Sequence, residues 1–426
     1  MRRIGTAVAA LVALAAGGVA WLAAAGLAEP ADAVDAPVPA AAPDAARVRG
    51  AYLARAGNCA LCHTAPGEAP YAGGRAIDTP FGRVYASNLT PDAATGLGNW
   101  SADDFWRAMH HGKSRDGRLL VPAFPYVQYT RVRRADADAI FAYLRTLAPV
   151  ARPNRAHALR FPYGSRAALA LWRGLYFRAG TYRDDHARDG AWNRGAYLVQ
   201  GLGHCGACHA PRDALGGSAR DSLDGGTLAE SGWHAPALGG GAATDTLTGA
   251  ARLQDLVAYL SHGVSTRRAA SGPMAGVVAE SLQHLAPEDV QAMATYLLAL
   301  PAPVRPAHPA PTASAVLDAG ARLYDRHCAD CHGADGRGAP PAYPPLAGNG
   351  ALTLPDAANA IRLVLHGGFP PGTAGNPRPF GMPPYRLQLG DAEVAAVVSY
   401  VRNAWGNRAG LVSAAEVDRH RALSLP

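Results

Sequence analysis

Lysine is almost missing: Lys113 is the only one among 40 basic residues in a chain of 426. The net charge of +7 is therefore nearly all arginine. Those arginines are scattered, with no run denser than Arg131–Arg134 and Arg267–Arg268. A surface that binds polyanions is clustered and interleaved with aromatics, so no nucleic acid partner is expected. Cysteine is scarce too. Six in 426 residues are too few for a disulfide scaffold, and all six fall in three C-x-x-C-H pentads, which leaves none for structural bridges. No stretch alternates well enough to predict a sheet. A glycine-rich dinucleotide fingerprint, a hydrolase elbow and a flavin or quinone-cofactor segment are also lacking, so no substrate-oxidising site is expected on this chain. What is abundant is apolar residues at 49%, with 48 Gly and 34 Pro. That composition excludes disorder and collagen and describes a loop-rich globular protein, long enough for three modest domains.

Arg2 and Arg3 precede an uncharged, Ala/Leu/Val-rich stretch from Ile4 to Ala28. A positive start followed by an apolar segment reads as an export signal, with Ala31-Asp32-Ala33 as a small-residue cleavage site. The stretch is also long enough for an uncleaved anchor, since a spanning helix needs roughly 20 residues. Either reading puts the rest of the chain outside the cytoplasm. The segment Phe161 to Arg178 reads as a packed inter-domain helix, with contact to a membrane or partner as its alternative.

An internal repeat organises the remainder. Arg49-Gly50-Ala51-Tyr52-Leu53 recurs letter for letter at Arg194–Leu198, and more loosely as Ala319-Gly320-Ala321-Arg322-Leu323. Each reads as a helix leading into one pentad: Cys59-Ala60-Leu61-Cys62-His63, Cys205-Gly206-Ala207-Cys208-His209 and Cys328-Ala329-Asp330-Cys331-His332. The copies also end alike, with helical apolar spacing around Tyr143, Tyr296 and Tyr400. Seven residues before each tyrosine stands an acid, Asp136, Asp289 or Glu393, suited to the positive end of a helix dipole. The expectation is an all-α chain of three tandem copies of one domain. Their limits are 48–150, 190–300 and 314–408, with a signal or anchor at 1–33, a connecting segment at 151–189 and a Pro-rich linker at 301–313.

C-x-x-C-H is the attachment signature for haem c. Two thiols on one turn add to the two vinyl groups of one porphyrin, and the adjacent histidine lies beneath the iron. A thioredoxin-like pair would need a βαβ context and no histidine. Zinc would need ligands from pentads more than 100 residues apart. The pentads therefore predict three covalent haems, held by Cys59, Cys62, His63, Cys205, Cys208, His209, Cys328, Cys331 and His332.

For the opposite axial position a methionine thioether raises the potential and closes the iron. Met274, in Gly272–Gly276, and Met382, in Phe380–Tyr385, lie in Gly/Pro-rich loops before the closing helices. They are the predicted ligands of the second and third irons. Met293 fits the apolar stripe of a closing helix and reads as core. The first repeat has Phe124 where a methionine is expected, which leaves Met109, His110 or a five-coordinate iron. His111-Gly112, His262-Gly263 and His366-Gly367 match one another and read as helix ends with a left-handed glycine. In the third repeat, Pro344-Pro345-Leu346-Ala347-Gly348 follows His332 at a distance that lets a loop carbonyl accept a hydrogen bond from its ring, with a plain turn as the alternative.

These residues resemble the triheme cytochrome c subunit of bacterial membrane-bound dehydrogenases. The resemblance spans roughly residues 48 to 408, and it implies that the fold is all-α with three tandem class I cytochrome c-like domains. It includes Asn88-Leu89-Thr90-Pro91-Asp92, Arg115-Asp116-Gly117-Arg118, Leu159–Tyr163 and Cys208-His209-Ala210-Pro211-Arg212. It implies electron transfer from a catalytic dehydrogenase subunit of flavin, quinoprotein or molybdopterin type, through three haems, to ubiquinone or a terminal oxidase. It places the chain on the periplasmic side of the inner membrane, in association with it. Two other readings compete: a multihaem peroxidase-like oxidoreductase with an open first haem, and a free periplasmic carrier.

Overall fold

Three glycines determine how the principal helices meet. The computed structural model describes residues 2–29, 42–228, 230–239, 247–302 and 314–423. The suggested cleavage site at 31–33 and most of the Pro-rich linker lie outside them. In chain order the helices are α1 (Arg2–Leu27), α2 (Pro43–Ala56), α3 (Cys59–His63), α4 (Ala102–His111), α5 (Tyr126–Tyr129), α6 (Arg134–Leu144), α7 (Arg166–Tyr176), α8 (Gly190–Tyr197) and α9 (Gly206–His209). They continue with α10 (Gly249–His262), α11 (Pro273–Glu280), α12 (Pro287–Ala299), α13 (Ser314–His327), α14 (Ala329–His332), α15 (Ala358–His366), α16 (Asp391–Val401) and α17 (Ala414–Ala422). The opening helix of each repeat crosses its closing helix: α2 on α6, α8 on α12, α13 on α16. At each crossing the repeated glycine meets the other backbone. A Cβ on Gly50, Gly195 or Gly320 would overlap the carbonyl oxygen of Ala139, Ala292 or Ala396, and would crowd the Cβ of Tyr143, Tyr296 or Tyr400.

The acids placed at the closing helices do stand in their first turns. Two of them have a further partner. Arg49 Nε donates to Asp136 at 2.8 Å, and Arg194 donates through Nε and Nη2 to Asp289 at 2.7 Å. In the third copy Ala319 replaces the arginine, and Glu393 instead accepts from the Gly390 N–H.

The expectation of no sheet needs correcting. Strands β1 (Ala76–Thr79) and β2 (Gly82–Tyr85) form a hairpin over a two-residue turn, and β3 (Ala158–Leu159) adds to β2. A second hairpin joins β4 (Gly226–Leu228) to β5 (Trp233–Ala235), with Thr227 opposite His234. Strands of two to four residues are too short for alternation to register, yet both hairpins lie between a pentad and its middle helix and matter to the sites below.

The chain forms two units. The first comprises residues 1–184, 199–207 and 212–222; the second comprises 185–198, 208–211 and 223–426. Within the first, α7 is indeed a packed helix, lying on α1. Buried Arg173 donates to Gly26 O at 2.8 Å and to His111 O at 2.6 Å, and Lys113 reaches Leu27 O at 2.7 Å. Both cations thus meet the negative end of the α1 dipole. Phe161, ahead of α7, is exposed. Among the described residues no helix is long and apolar enough to cross a membrane. Within the second unit α17 packs on α15 and α16 and adds fully buried Val417 to their core.

Candidate haem-attachment sites

Each pentad histidine ends a one-turn helix, α3, α9 or α14, and each ring faces a loop carbonyl. His63 Nδ1 lies 2.7 Å from Ser87 O, His209 Nδ1 2.6 Å from Pro236 O, and His332 Nδ1 3.1 Å from Pro344 O. The contact expected from the third sequence copy therefore exists, and the first two copies have it as well. A nitrogen beside a carbonyl oxygen must carry the proton, so Nε2 keeps its lone pair. Burial holds all three imidazoles below their ordinary pKa, and the carbonyls only partly oppose it. Neutral rings with Nε2 left as donor suit a metal ligand. A weak signal was available in the sequence. A leucine stands two residues after each carbonyl: Leu89, Leu238 and Leu346.

A second device recurs beneath this one. The N–H groups of Gly73, Gly225 and Gly338 donate to the carbonyl oxygens of His63, His209 and His332 at 2.7, 2.8 and 2.8 Å. All three glycines have left-handed φ, +76°, +88° and +61°. A Cβ on any of them would press on the peptide that supplies the carbonyl, at Ser87, Pro236 or Pro344. One glycine thus anchors the histidine's backbone and makes room for its ring partner.

The thiols agree with covalent attachment. None of the six cysteines forms a disulfide. Burial, with the neighbouring thiol adding to it, pushes Cys59 up to about 12 and Cys328 up to about 11.

A cytochrome c family model matches residues 48–148 and 317–405, which include the first and third pentads. The chain is 39% identical over 387 residues to the gluconate 2-dehydrogenase cytochrome c subunit of Pantoea cypripedii, covering 86% of this chain and 87% of that one. It is 36% identical over 396 residues to the cytochrome c subunit of alcohol dehydrogenase (quinone) of Gluconobacter oxydans, covering 89% and 82%. The chain belongs to this family of cytochrome c subunits. It is also 42% identical over 368 residues to a nicotinate dehydrogenase subunit of Pseudomonas putida, covering 83% of this chain but only 30% of that longer protein.

A cytochrome c holds haem covalently, and the thiol pairs, the neutral histidines and their carbonyl partners fit that group. The segments expected to supply the sixth ligand are less uniform. In the third repeat Met382 pairs with Gly368 in both directions, N–H to O at 2.8 and 3.0 Å, and Tyr385 Oη donates to His327 O at 2.7 Å, next to Cys328. The methionine segment is thereby tied to the residue ahead of the pentad. In the second repeat Met274 is not in a loop. It is the second residue of α11, after Gly272 with φ +54°. Pro273 is the reason, since a proline at the first position starts a helix readily. In the first repeat Phe124 packs against Tyr129 at 5.3 Å, and Tyr129 Oη donates to Gly57 O at 2.9 Å. Met109 and His110 are both buried on α4, with the His110 ring stacked 4.3 Å from Trp106. Met293 is 2% exposed in the core, as expected.

Two of the three His-Gly helix ends behave as expected, Gly112 and Gly263 being left-handed. Gly367 departs from them, with φ +65° and ψ −158°. Its neighbour Gly368 turns out to pair with Met382, so the chain extends there instead of closing the helix.

Proposed function

We propose that this chain is the electron-transfer subunit of a dehydrogenase complex, built as three tandem class I cytochrome c domains that each carry one covalent haem. The observation that carries it is the threefold recurrence of one arrangement: pentad histidine, carbonyl on Nδ1, and left-handed glycine on the histidine's own carbonyl. A zinc or redox-dithiol role would have no need of it. Bound haem supplies a one-electron Fe(III)/Fe(II) couple. The chain's own residues attach the porphyrins through the six cysteines, hold Nε2 of His63, His209 and His332 toward the irons, and offer Met274 and Met382 on the second and third. Electrons enter from a partner dehydrogenase acting on CH–OH or related donors and leave to ubiquinone or a terminal oxidase, in the periplasm and at the membrane. The names of the gluconate and alcohol dehydrogenase relatives support a catalytic partner.

The test is a mass and pyridine haemochrome measurement on protein purified from membranes. Three haems retained after denaturation and a co-purifying dehydrogenase chain are expected; a mass without porphyrin adducts overturns the reading. Met274→Ala and Met382→Ala should each turn one haem from low to high spin and lower its midpoint. If potentiometric titrations of both variants match the wild type, the ligand assignment is wrong.

A further inference from the structure

The loops that hold the three histidine carbonyls are each pinned by an asparagine side chain. In the first repeat Asn154 Oδ1 accepts from the N–H of Asn88, next to Ser87, at 2.8 Å. In the third Asn407 accepts from Gly348 N–H at 3.0 Å and donates to Leu346 O at 2.9 Å, two residues past Pro344. Both asparagines follow the closing helix of their own repeat, α6 or α16. The second repeat is different. Its loop is held by Asn359, on α15 of the third repeat. Asn359 Oδ1 accepts from His234 N–H at 2.8 Å, and Nδ2 donates to His234 O at 2.7 Å. Two bonds to one residue's N–H and C=O hold β5 as a neighbouring strand would, two residues before the Pro236 carbonyl that His209 uses.

Other residues of the third repeat complete this grip. Asp356, three residues before Asn359, lies 3.6 Å from His234 Nδ1 and accepts from Thr227 Oγ1 at 3.3 Å, so it engages both strands of the hairpin. Arg362, three residues after, lies over the Trp233 ring at 5.4 Å. Of the three bulkiest buried arginines, Arg173 and Arg402 are satisfied by backbone carbonyls, whereas Nε and Nη1 of Arg362 have no hydrogen-bond partner. Its contact with Trp233 is with a residue of β5 itself. Trp233 in turn packs on Gly272, two residues before Met274. The third repeat thus holds the hairpin that leads to the carbonyl facing His209 and that packs beside the segment carrying Met274.

We infer that Asn359 is a positioning residue for the second haem: from the third repeat it sets the Pro236 carbonyl against His209 Nδ1 and so tunes that iron. This rests on the proposed haem at the second pentad. A firm carbonyl partner makes the imidazole a stronger donor and favours the oxidised iron; loosening it moves the midpoint upward.

The experiment is a spectroelectrochemical titration of the full holo-protein with Asn359→Ala and Asn359→Asp, beside Met274→Ala, which marks the second haem's midpoint. Asn359→Ala should raise that midpoint and leave the other two in place. Asn359→Asp, which keeps the acceptor for His234 N–H and loses the donor, should give a smaller rise. Three unmoved midpoints, or three moving together, overturn the inference; should Asn359→Ala fail to accumulate, Asn359→Asp is judged by the same outcomes. Peptide mapping of haem attachment in the wild type separates the two claims: a haem missing from the first or third pentad fails the proposed function and not the role of Asn359, whereas a haem missing from Cys205 and Cys208 fails both.

Discussion

A glycine replaced by alanine usually gains a few tenths of a kcal/mol from a less disordered unfolded chain. Gly338 should go the other way. Its φ of +61° costs an L-residue about 1–2 kcal/mol, and the new Cβ would push on Pro344, whose carbonyl faces His332. Gly338→Ala should therefore lose about 2 kcal/mol or more in a denaturant titration followed at the haem band. Gly372, whose Cβ would meet nothing within 4 Å and which has no left-handed φ, serves as the control. Gly372→Ala should stay within about 0.5 kcal/mol of wild type. Equal losses in both would sink the idea. Protonation is the other residue-scale effect. Burial holds His234, His366 and His420 below the ordinary histidine pKa, with Asp356 only partly offsetting it for His234 and His420. Groups with depressed folded-state values stabilise fully above about pH 6.5, and that stability is lost as the pH falls through the folded values. Melting temperature should accordingly fall from pH 7 to pH 5. A flat or rising profile over that range contradicts the assignment.

At the scale of helices and strands, the crossings invert an ordinary preference. Alanine is better than glycine inside a helix by about 1 kcal/mol, yet Gly195 and Gly320 stand where a Cβ would overlap the facing backbone. Overpacking of this kind costs about 1–3 kcal/mol, so Gly320→Ala should lower the melting temperature although it improves helix propensity. A rise would mean that α13 and α16 do not meet at this residue. The two helices of each crossing were legible in the sequence because both repeat, glycine ahead of the pentad and tyrosine in the closing helix, but their meeting at the glycine was not. The third carbonyl partner was legible because it lies only 12 residues beyond its histidine. The partners of His63 and His209 lie 24 and 27 residues away, across hairpins too short to show a period. Asn359 is 125 residues from His234, and nothing local in either segment announces the pairing. The acids of the closing helices were read as dipole partners, which they are, but their arginines sit 87 and 95 residues upstream. Met274 was misplaced in a loop because glycine and proline around it were weighed as loop formers, when Pro273 opens a helix. What a chain repeats or keeps close can be read from it, and what the tertiary fold brings together cannot.

For the molecule as a whole, haem changes the electrostatics as much as the redox chemistry. The polypeptide alone carries +7 and has an isoelectric point near 9.2. Removal of residues 1–33 would leave that balance untouched, since Arg2 and Arg3 offset Glu29 and Asp32. The three proposed haems would bring six propionates, about six negative charges at neutral pH. The ferrous porphyrin core is otherwise neutral and each ferric core adds one positive charge, so with three haems the reduced protein would carry about +1 and the oxidised protein about +4. Charge near zero weakens long-range steering and leaves docking to short-range complementarity. Electron uptake should therefore be visible without a spectrometer. Dithionite-reduced protein should focus at a lower isoelectric point than ferricyanide-oxidised protein, and both should focus below the haem-free chain. Coincident bands for the two redox states, or a holo-protein as basic as the bare chain, would be incompatible with three propionate-bearing irons on this polypeptide.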